Sequence, residues 1–386
     1  MQYVATAIGA ASVAIWVHLL FFRGGFWWLP YRPAAGAAIA SAPPVVAVVP
    51  ARDEAAVIGR AGGSLLAQDY PGELHVLIVD DQSSDGTAEV ARGAATAAGA
   101  SERLTVYTGS PVPAGWTGKL WAMRQGIEAA RSWAPDYFLL TDADIVHEPG
   151  NLRELISRCE TQGCDLVSLM VRLHCRGVWE KLLIPAFVFF FFKLYPPAWV
   201  ADPSRRTAAA AGGCMLIRAS TLDRIGGIDS IRHEIIDDCA LARRVKSVGK
   251  VWLGSAAHTT SIREYRGWRP IWDMIARSAF AQLGYSPAML VVTVLMLGLI
   301  YVAPPLLLLS SQAPALICGA SAWLAMSVAL APTLRAYQVS PLLGLVLPLI
   351  AAFYAAATVA SAISYWRGRG GYWKGRFQAP IRGINL

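Results

Sequence analysis

Long stretches of uninterrupted hydrophobic residues occur towards both ends of this chain. The run from Tyr3 to Phe22 contains no Asp, Glu, Lys or Arg and is long enough to cross a bilayer as a helix. Three further apolar segments occupy roughly 288–309, 313–330 and 342–363. These runs predict an N-terminal transmembrane anchor at residues 1–22 and a C-terminal transmembrane region at residues 288–364.

The middle of the chain has a different pattern, in which short β-branched runs alternate with helical segments. Strands are predicted at 45–49, 75–79, 103–107, 137–140, 166–171 and 214–217, and helices at about 54–67, 86–98, 120–132, 151–159 and 237–247. The alternation predicts an α/β domain at residues 45–260 with a mostly parallel sheet, whose ligands bind beyond the carboxyl ends of the strands. Residues 23–44 form a predicted linker before this domain, and residues 261–287 form an interfacial segment after it.

The composition places part of the chain in a membrane. Hydrophobic residues make up 55% of the 386 residues and charged residues 16%, and the mean hydropathy of +0.42 is too high for an ordinary soluble protein. The net charge of +8 is densest in a basic tail at residues 365–386, which contains Arg367, Arg369, Lys374, Arg376 and Arg382. Because the tail directly follows an apolar segment, it predicts contact with anionic lipid head groups and no binding of nucleic acid.

Positive charges also predict the orientation of the membrane segments. Arg23 and Arg32 follow the first segment, so its C-terminal end and the α/β domain should face the cytoplasm of a multi-pass inner-membrane protein. Three complete C-terminal spans would place the basic tail on the opposite side. We therefore expect one segment, with the first and its Pro304-Pro305 pair as the candidate, to be re-entrant or interfacial. Another apolar stretch, Leu182–Tyr195, is predicted either to contact the membrane and line an acceptor site or to be a buried core helix.

Two carboxylates follow the apolar strand that begins at Tyr137. If the chain stays extended after Leu140, Asp142 and Asp144 point in the same direction, because strand side chains repeat with a period of two. Two hard oxygen ligands at this spacing suit a Mg²⁺ or Mn²⁺ ion that also carries phosphate oxygens. The alternative for this pair alone is a strand end with solvated aspartates.

Further carboxylates follow the first two predicted strands. Asp80 and Asp81 end the second strand, where adjacent like charges repel unless a positive or hydrogen-donating group lies between them. The first strand ends in Pro50, Arg52 and Glu54, where a carboxylate either accepts hydrogen bonds from a base or ribose or caps the next helix.

A third group of charged residues lies at the starts of two predicted helices. Asp237 and Asp238 form a like-charge pair, so one of them should hold a proton more tightly and be suited to deprotonating a hydroxyl. The structural alternative is that both stabilise the positive end of the helix dipole. Lys119 follows a glycine-containing turn, from which it can reach a phosphate.

These motifs, in this order, resemble family 2 glycosyltransferases. The resemblance rests on Pro50-Ala51-Arg52-Asp53-Glu54, Asp80-Asp81-Gln82-Ser83-Ser84-Asp85-Gly86-Thr87, Asp142-Ala143-Asp144 and Gly213 to Arg218 followed by Asp237-Asp238. It covers about 45–258 and implies the GT-A fold, which is Rossmann-like. The anchor, the C-terminal spans and the segments 115–122, 261–265 and 277–283 are most similar to hopanoid-associated and ceramide glucosyltransferase-like enzymes.

The resemblance implies a role for each group. Asp81 would bind the uracil or ribose of a UDP-sugar, and Pro50, Arg52, Glu54 and Asp80 would belong to the same nucleotide-sugar site. Asp144 with Asp142 would hold a divalent metal and the diphosphate, and Asp238 would be the catalytic base. Relatives carry a (Gln/Arg)-x-x-Arg-Trp motif, to which Arg263, Arg266 and Trp268 correspond with one extra residue before the Trp; an arginine cluster meeting lipid phosphates explains the same residues.

Together these predictions describe a membrane-bound inverting glycosyltransferase that moves a sugar to a lipid hydroxyl, in hopanoid or glycolipid biosynthesis. The alternatives are a polyprenyl-phosphate glycosyltransferase and a non-catalytic scaffold that binds nucleotide sugars.

Overall fold

The fold is described from a computed structural model, which covers residues 2–28, 41–372 and 374–378. Most of the predicted linker, with Arg32, and the last tail residues, with Arg382, lie outside the described residues.

Among the described residues, one mixed sheet of eight strands forms the centre of the α/β domain. The strands are β1 (Val45–Ala51), β2 (Leu74–Asp80), β3 (Leu104–Thr108), β4 (Tyr137–Thr141), β5 (Ile145–Val146), β6 (Leu166–Arg172), β7 (Cys214–Arg218) and β8 (Val251–Ser261). Their order across the sheet is β3-β2-β1-β4-β7-β6-β8-β5. The first four of these are mutually parallel, β7 is antiparallel to both neighbours, and β8 is parallel to β6. The six predicted strands are confirmed, whereas β5 and β8 were not predicted.

Fourteen helices surround this sheet or continue beyond it in the described part of the chain. They are α1 (Gln2–Phe22), α2 (Ala55–Leu66), α3 (Thr87–Ala97), α4 (Gly118–Ala130), α5 (Asn151–Gln162), α6 (Val178–Leu194), α7 (Pro197–Ala201), α8 (Ala219–Arg224), α9 (Asp237–Lys246), α10 (Arg269–Gln282), α11 (Pro287–Leu297), α12 (Ala303–Leu307), α13 (Ala313–Ala336) and α14 (Leu347–Trp366). The five helices predicted for the α/β domain are confirmed, with ends that differ by a few residues.

Strand β1 is buried on both faces, and its alternating side chains belong to two separate cores. Val45, Ala47 and Val49 pack into the core formed with α2 and α5, whereas Val46 and Val48 pack into the core formed with α4 and α6. A continuous apolar run is what a parallel strand covered on both faces requires. The second core continues into the apolar helices α1, α13 and α14, so the sheet and these helices share one hydrophobic core.

Close packing of α4 on the sheet depends on Gly126. A Cβ atom added there would lie 2.6 Å from methyl carbons of both Val48 and Val79. We expect Gly126→Ala to lower the free energy of unfolding by about 1–3 kcal/mol, because the clash involves two strands that cannot move aside. The matched control is Gly93→Ala in α3, where no atom lies within 4 Å; this change should raise stability by about 0.5–1 kcal/mol. Thermal unfolding of both variants checks the pair, and a neutral Gly126→Ala would contradict this account.

Within the described ranges, five helical segments are long and apolar enough to cross a membrane: Tyr3–Phe22, Val178–Ala201, Pro287–Leu307, Ala313–Ala336 and Pro341–Trp366. Helices α1 and α13 run side by side in the same direction. Thr6 near the start of α1 donates a hydrogen bond of 3.1 Å to Gln312, the residue before α13. Gly9 allows close approach, because a Cβ atom there would lie 2.7 Å from that of Cys318.

The last apolar segment, Pro341–Trp366, is flanked on both sides by contacts with the α/β domain. Before it, the Leu173 amide donates to the Tyr337 hydroxyl at 3.2 Å, and after it Lys374 donates to the Asp53 carbonyl at 3.0 Å. That one C-terminal segment, with the first and its Pro304-Pro305 pair as the candidate, is re-entrant or interfacial stays a prediction. A π-helical stretch, Gly298–Val302, joins α11 to α12 without interrupting the helical path.

The segment Val178–Ala201, formed by α6 and α7, is long and apolar enough to span a bilayer and is also flanked by contacts. The Tyr265 amide donates to Glu180 near the start of α6 at 2.8 Å, and Lys246 of α9 donates to the Asp202 carbonyl directly after α7 at 2.8 Å. These contacts are compatible with both predicted roles, a membrane-contacting element that lines an acceptor site and a buried core helix.

Candidate active site

The carboxyl ends of β1 and β2 carry two loops that bind each other through side chains. Asp53 accepts hydrogen bonds from the Ser84 amide, and Asp85 accepts one from the Ala55 amide at the start of α2. Asp85 also accepts a hydrogen bond from the amide of Thr87 at 3.1 Å. One carboxylate therefore accepts backbone N–H groups from the first turns of both α2 and α3. Glu54 occupies the N-cap position of α2, but its side chain makes no capping hydrogen bond and instead contacts Arg263 and Lys374.

Asp81 lies beneath these loops, and 2% of its side chain is exposed. Its Oδ2 atom lies 2.8 Å from the Arg376 guanidinium and 3.7 Å from that of Arg52. Its Oδ1 atom is buried and has no hydrogen-bond partner among the described residues. Burial raises the pKa of Asp81, although Arg376 and Arg52 oppose this shift. Neighbouring Asp80 accepts a bond from the Ser83 amide, which closes the turn after β2.

Asp142 and Asp144 follow β4 and each contacts a cation from elsewhere in the chain. Lys119 lies 2.9 Å from Asp142, and the Arg263 Nε atom lies 3.2 Å from Asp144. Ser261 also donates to Asp144 at 2.7 Å. Burial raises the pKa of Asp142, with Lys119 opposing the shift.

The chemistry of this pair fits a small divalent cation. No group of three or more His, Cys, Asp or Glu residues able to hold a metal occurs in the described part of the chain. A Mg²⁺ or Mn²⁺ ion bound through two carboxylates completes its coordination with substrate phosphates and water, so a two-carboxylate site suits a metal that arrives with a diphosphate.

A buried polar network fixes the end of β4 just before Asp142. Thr141 donates to the Gly213 carbonyl at 2.7 Å and lies 2.9 Å from His147 Nε2, while Asn151 lies 3.0 Å from the other ring nitrogen. Burial lowers the pKa of His147 to about 3, so the ring stays neutral and can bridge the two partners. The network holds the turn that carries both aspartates.

Lys119, at the start of α4, joins Asp142, which follows β4, to Asp237 at the start of α9. Its Nζ atom lies 2.9 Å from Asp142 and 3.1 Å from Asp237. Burial alone would lower the pKa of Lys119, but Asp142 and Asp237 reverse this effect and keep the ammonium charged. Gly212 passes close to this group, because a Cβ atom there would lie 3.1 Å from Lys119 Nζ.

Asp238 is held in one orientation by the backbone. Its two oxygens accept hydrogen bonds from the Gly212 amide at 2.8 Å and the Cys239 amide at 2.7 Å. Burial and the neighbouring Asp237 raise the pKa of Asp238 to about 6. An oriented carboxylate with this proton affinity can accept a proton from a hydroxyl near neutral pH.

Three of the predicted site residues take structural positions or lie apart from these carboxylates. Pro50 lies within β1, paired in register with Val79. Arg266 has 90% of its side chain exposed and pairs with Glu264. Trp268 packs edge-on against Trp272 and Phe353 near the membrane helices. Of the three residues matched to the (Gln/Arg)-x-x-Arg-Trp motif, which has one extra residue here, only Arg263 contacts the carboxylates of the site.

Arg263 occupies a central position between two carboxylates. Its Nη2 atom donates to Glu54 at 2.6 Å, and its Nε atom donates to Asp144. Burial would lower the pKa of Arg263, but Asp144 and Glu54 raise it. The loops that follow β1 and β4 are therefore joined through one guanidinium.

Sequence reasoning missed three contributors to the site: Ser261, Lys374 and Arg376. Ser261 ends β8, whose small and polar residues gave no strand pattern. Lys374 and Arg376 were predicted to meet lipid head groups, but they contact Glu54 and Asp81. The only sequence signal for this placement is the excess of carboxylates in the site, which needs cations.

A surface cavity lies where helix α6 begins, beside the segment that follows Arg263. It is lined by Gly177, Val178, Trp179, Glu180, Glu264, Tyr265, Arg266 and Gly267. Glu180 fixes one wall by accepting bonds from the amides of Gly177 and Tyr265. Val178 and Trp179 are exposed there, so an apolar surface adjoins the polar site.

Comparison with known proteins identifies the family. The family model described as glycosyltransferase like family 2 matches residues 43–267, and no curated protein sequence matches the chain. A solved mannosyltransferase from Pyrobaculum calidifontis, in complex with GDP-Man and Mn²⁺, has 20% identity and a TM-score of 0.55, over 94% of this chain and 98% of that one. A glucosyl-3-phosphoglycerate synthase from Mycobacterium tuberculosis, with Mg²⁺ and UDP, has 17% identity and a TM-score of 0.44, over 67% of this chain and 85% of that one.

The family match covers more than half of the chain, and the mannosyltransferase shares the fold over nearly its whole length. The predicted GT-A fold, with apolar helices at both ends, is confirmed. The chain belongs to the glycosyltransferase like family 2 and is a glycosyltransferase.

Proposed function

We propose that this protein is a membrane-bound inverting glycosyltransferase that moves a sugar from a nucleoside diphosphate to a lipid hydroxyl. The observation that carries the proposal is the position of Lys119, which contacts Asp142 on the metal side and Asp237 next to Asp238. Because Lys119 contacts both groups, the residues proposed to bind the donor diphosphate and the proposed base, Asp238, would form one continuous site.

The donor would bind across the ends of β1, β2 and β4. Asp81 offers an unpaired oxygen to a base or ribose, and Arg52 and Glu54 lie next to it. Asp142 and Asp144 would hold Mg²⁺ or Mn²⁺, which when bound neutralises charge on the departing diphosphate. Lys119 and Arg263 stabilise the same negative charge from fixed positions.

Asp238 would act as the base in a single displacement. It takes the proton of the acceptor hydroxyl, whose oxygen forms a bond to the anomeric carbon while the bond from that carbon to the diphosphate oxygen breaks. One displacement inverts the configuration at that carbon. The two backbone bonds keep the carboxylate oriented while it gains the proton.

A lipid acceptor is supported by the position of α6. Tyr195, directly beyond the end of α6, lies beside Cys239, the residue after Asp238. The cavity at the other end of α6 presents Val178 and Trp179. An amphiphile lying along this helix could place its hydroxyl in the site while its apolar part stays with the membrane.

The proposed membrane arrangement places the site and the tail on the cytoplasmic face of the inner membrane. Residues 1–22 would be the anchor, 45–260 the catalytic unit and 288–364 the C-terminal membrane region. With one of the three C-terminal apolar segments re-entrant or interfacial, the positive charges after α1 and after α14 lie on one side, as the positive-inside rule requires.

Lipid analysis by mass spectrometry tests this function. Membranes containing the protein should convert one of a panel of nucleotide sugars, including UDP- and GDP-sugars, to a glycolipid when given hopanoid or sphingolipid-like alcohols. A chelator should stop the reaction, and Mn²⁺ or Mg²⁺ should restore it. Membranes with Asp144→Ala provide the matched control.

Two other outcomes would replace this proposal. Transfer to a polyprenyl phosphate, and to no alcohol, would indicate a polyprenyl-phosphate glycosyltransferase, whose acceptor needs no hydroxyl deprotonation at neutral pH. Tight donor binding without transfer or donor hydrolysis under any condition would indicate a non-catalytic scaffold.

A further inference from the structure

The C-terminal tail reaches the donor end of the sheet, far from its position in the sequence. Lys374 lies 2.9 Å from Glu54 and donates to the Asp53 carbonyl at 3.0 Å. Arg376 donates to Asp81 at 2.8 Å across 295 positions in the chain. Arg52 in turn donates to the Lys374 carbonyl at 3.4 Å. Side chains and backbone both take part, so the tail is docked at several points.

The charge of the site explains why cations are needed there. Six carboxylates face this region: Glu54, Asp81, Asp142, Asp144, Asp237 and Asp238. A nucleoside diphosphate is strongly anionic and would be repelled by carboxylates without counter-charges. Lys119 pairs with Asp142 and Asp237, and Arg263 pairs with Asp144. The counter-charges near Asp81 therefore come from Arg52 and from Arg376 of the tail.

Asp81 provides an independent observation that a ligand belongs beneath the tail. Its Oδ2 atom is held by Arg376, but its buried Oδ1 atom has no partner in the described residues. A buried polar atom without a partner is costly, and in native proteins it commonly marks the place of a missing ligand. An N–H of a base or a ribose hydroxyl would satisfy Oδ1 without displacing Arg376, because a carboxylate accepts several hydrogen bonds.

We propose that Lys374 and Arg376 belong to the nucleotide-sugar site, and that the tail closes over the bound nucleotide. Arg376 would contact the base or ribose beside Asp81, and Lys374 would face the diphosphate side through Glu54. Because 2% of the Asp81 side chain is exposed, the tail must lift to admit the nucleotide and then close again. This inference rests on the proposed donor site and adds two residues to it.

Calorimetric titration of UDP and GDP with Mn²⁺ tests the proposal without any transfer reaction. The full-length protein is placed in phosphatidylcholine nanodiscs, so that anionic lipids do not compete for the tail. Arg376→Ala and Lys374→Ala should each weaken binding of the preferred nucleotide by about 10- to 100-fold, the contribution of a charge-assisted hydrogen bond. Arg369→Ala, an exposed arginine of the same tail, should leave binding unchanged.

Hydrogen exchange of the tail peptide provides a second readout that does not depend on a variant. Nucleotide should slow amide exchange at residues 374–378, because these residues close over it. Faster exchange with nucleotide, or tighter binding by Arg376→Ala, would show that the tail competes with the donor and would overturn the proposal. Unchanged binding by both variants would overturn it too. If wild-type protein binds no nucleotide at all, the proposed function itself fails.

Discussion

Replacing Asp238 with asparagine is expected to reduce sugar transfer by about 10²- to 10⁴-fold, the usual contribution of general base catalysis. Asparagine keeps the size of the side chain but cannot take a proton from the acceptor. Its amide can satisfy only one of the two backbone donors, Gly212 and Cys239, that Asp238 binds. Nucleotide binding should remain close to that of the wild type, because donor contacts lie elsewhere in the site.

The pH dependence provides a check that a purely structural role would not pass. Because the pKa of Asp238 is raised to about 6, the wild-type rate should fall as the pH drops through this value and should level off above it. The residual activity of Asp238→Asn should lack this acidic limb. Asp229→Asn, which alters an exposed carboxylate paired with Arg124, is the control and should keep both rate and profile. Normal turnover by Asp238→Asn would remove it from the role of base.

Replacing Lys119 with methionine should destabilise the protein and weaken donor binding together. The change leaves Asp142 and Asp237 without their shared cation, and 36% and 15% of their side chains are exposed. We expect the free energy of unfolding to fall by about 2–3 kcal/mol, which lies between the cost of breaking an exposed ion pair and that of breaking a fully buried one. This loss corresponds to a fall of roughly 4–12 °C in the thermal midpoint of a domain of this size.

Divalent metal distinguishes the electrostatic cause from a loss of packing. Mn²⁺ would neutralise Asp142 and should recover part of the stability of Lys119→Met, whereas it cannot refill a lost packing contact. Lys119→Arg should retain most of the stability, because it keeps the charge. Lys250→Met changes an exposed lysine and serves as the control. A midpoint for Lys119→Met equal to that of the wild type would contradict the bridging role.

Among the predicted strands, those buried on both faces have the clearest pattern. Val45–Ala51 is a continuous apolar run, and Leu74–Asp80 is apolar except for His75 and the terminal Asp80, after which Asp81 was predicted as a site residue. Strand β3 was also predicted, although it is only partly buried. Strand β8 escaped prediction because Val251–Ser261 mixes small and polar residues without a period of two. Strand β5 has two residues, which is too few for any pattern.

The pairing of charges in the site could not be read from the sequence. Lys119 was predicted to reach a phosphate, but its contacts with Asp142 and Asp237 depend on the order of strands and helices around the sheet. The tail contacts are even harder to predict from the sequence, because Lys374 and Arg376 contact loops that lie about 300 residues earlier in the chain. A basic segment after a membrane helix has lipid head groups as its usual partner, and only the fold shows the closer carboxylates.

The contacts that flank Val178–Ala201 and Pro341–Trp366 have a consequence for acceptor selection. In the proposed membrane arrangement, a catalytic domain held at these four points beside the apolar helices could not tilt or rise freely, so Asp238 would keep a fixed height above the bilayer. The enzyme would then select its acceptors by the distance between their hydroxyl and the bilayer surface. Lipids whose hydroxyl stands at the matching distance from the bilayer surface should be glycosylated, and homologues with a shorter or longer polar spacer should be refused even when their hydroxyl chemistry is the same.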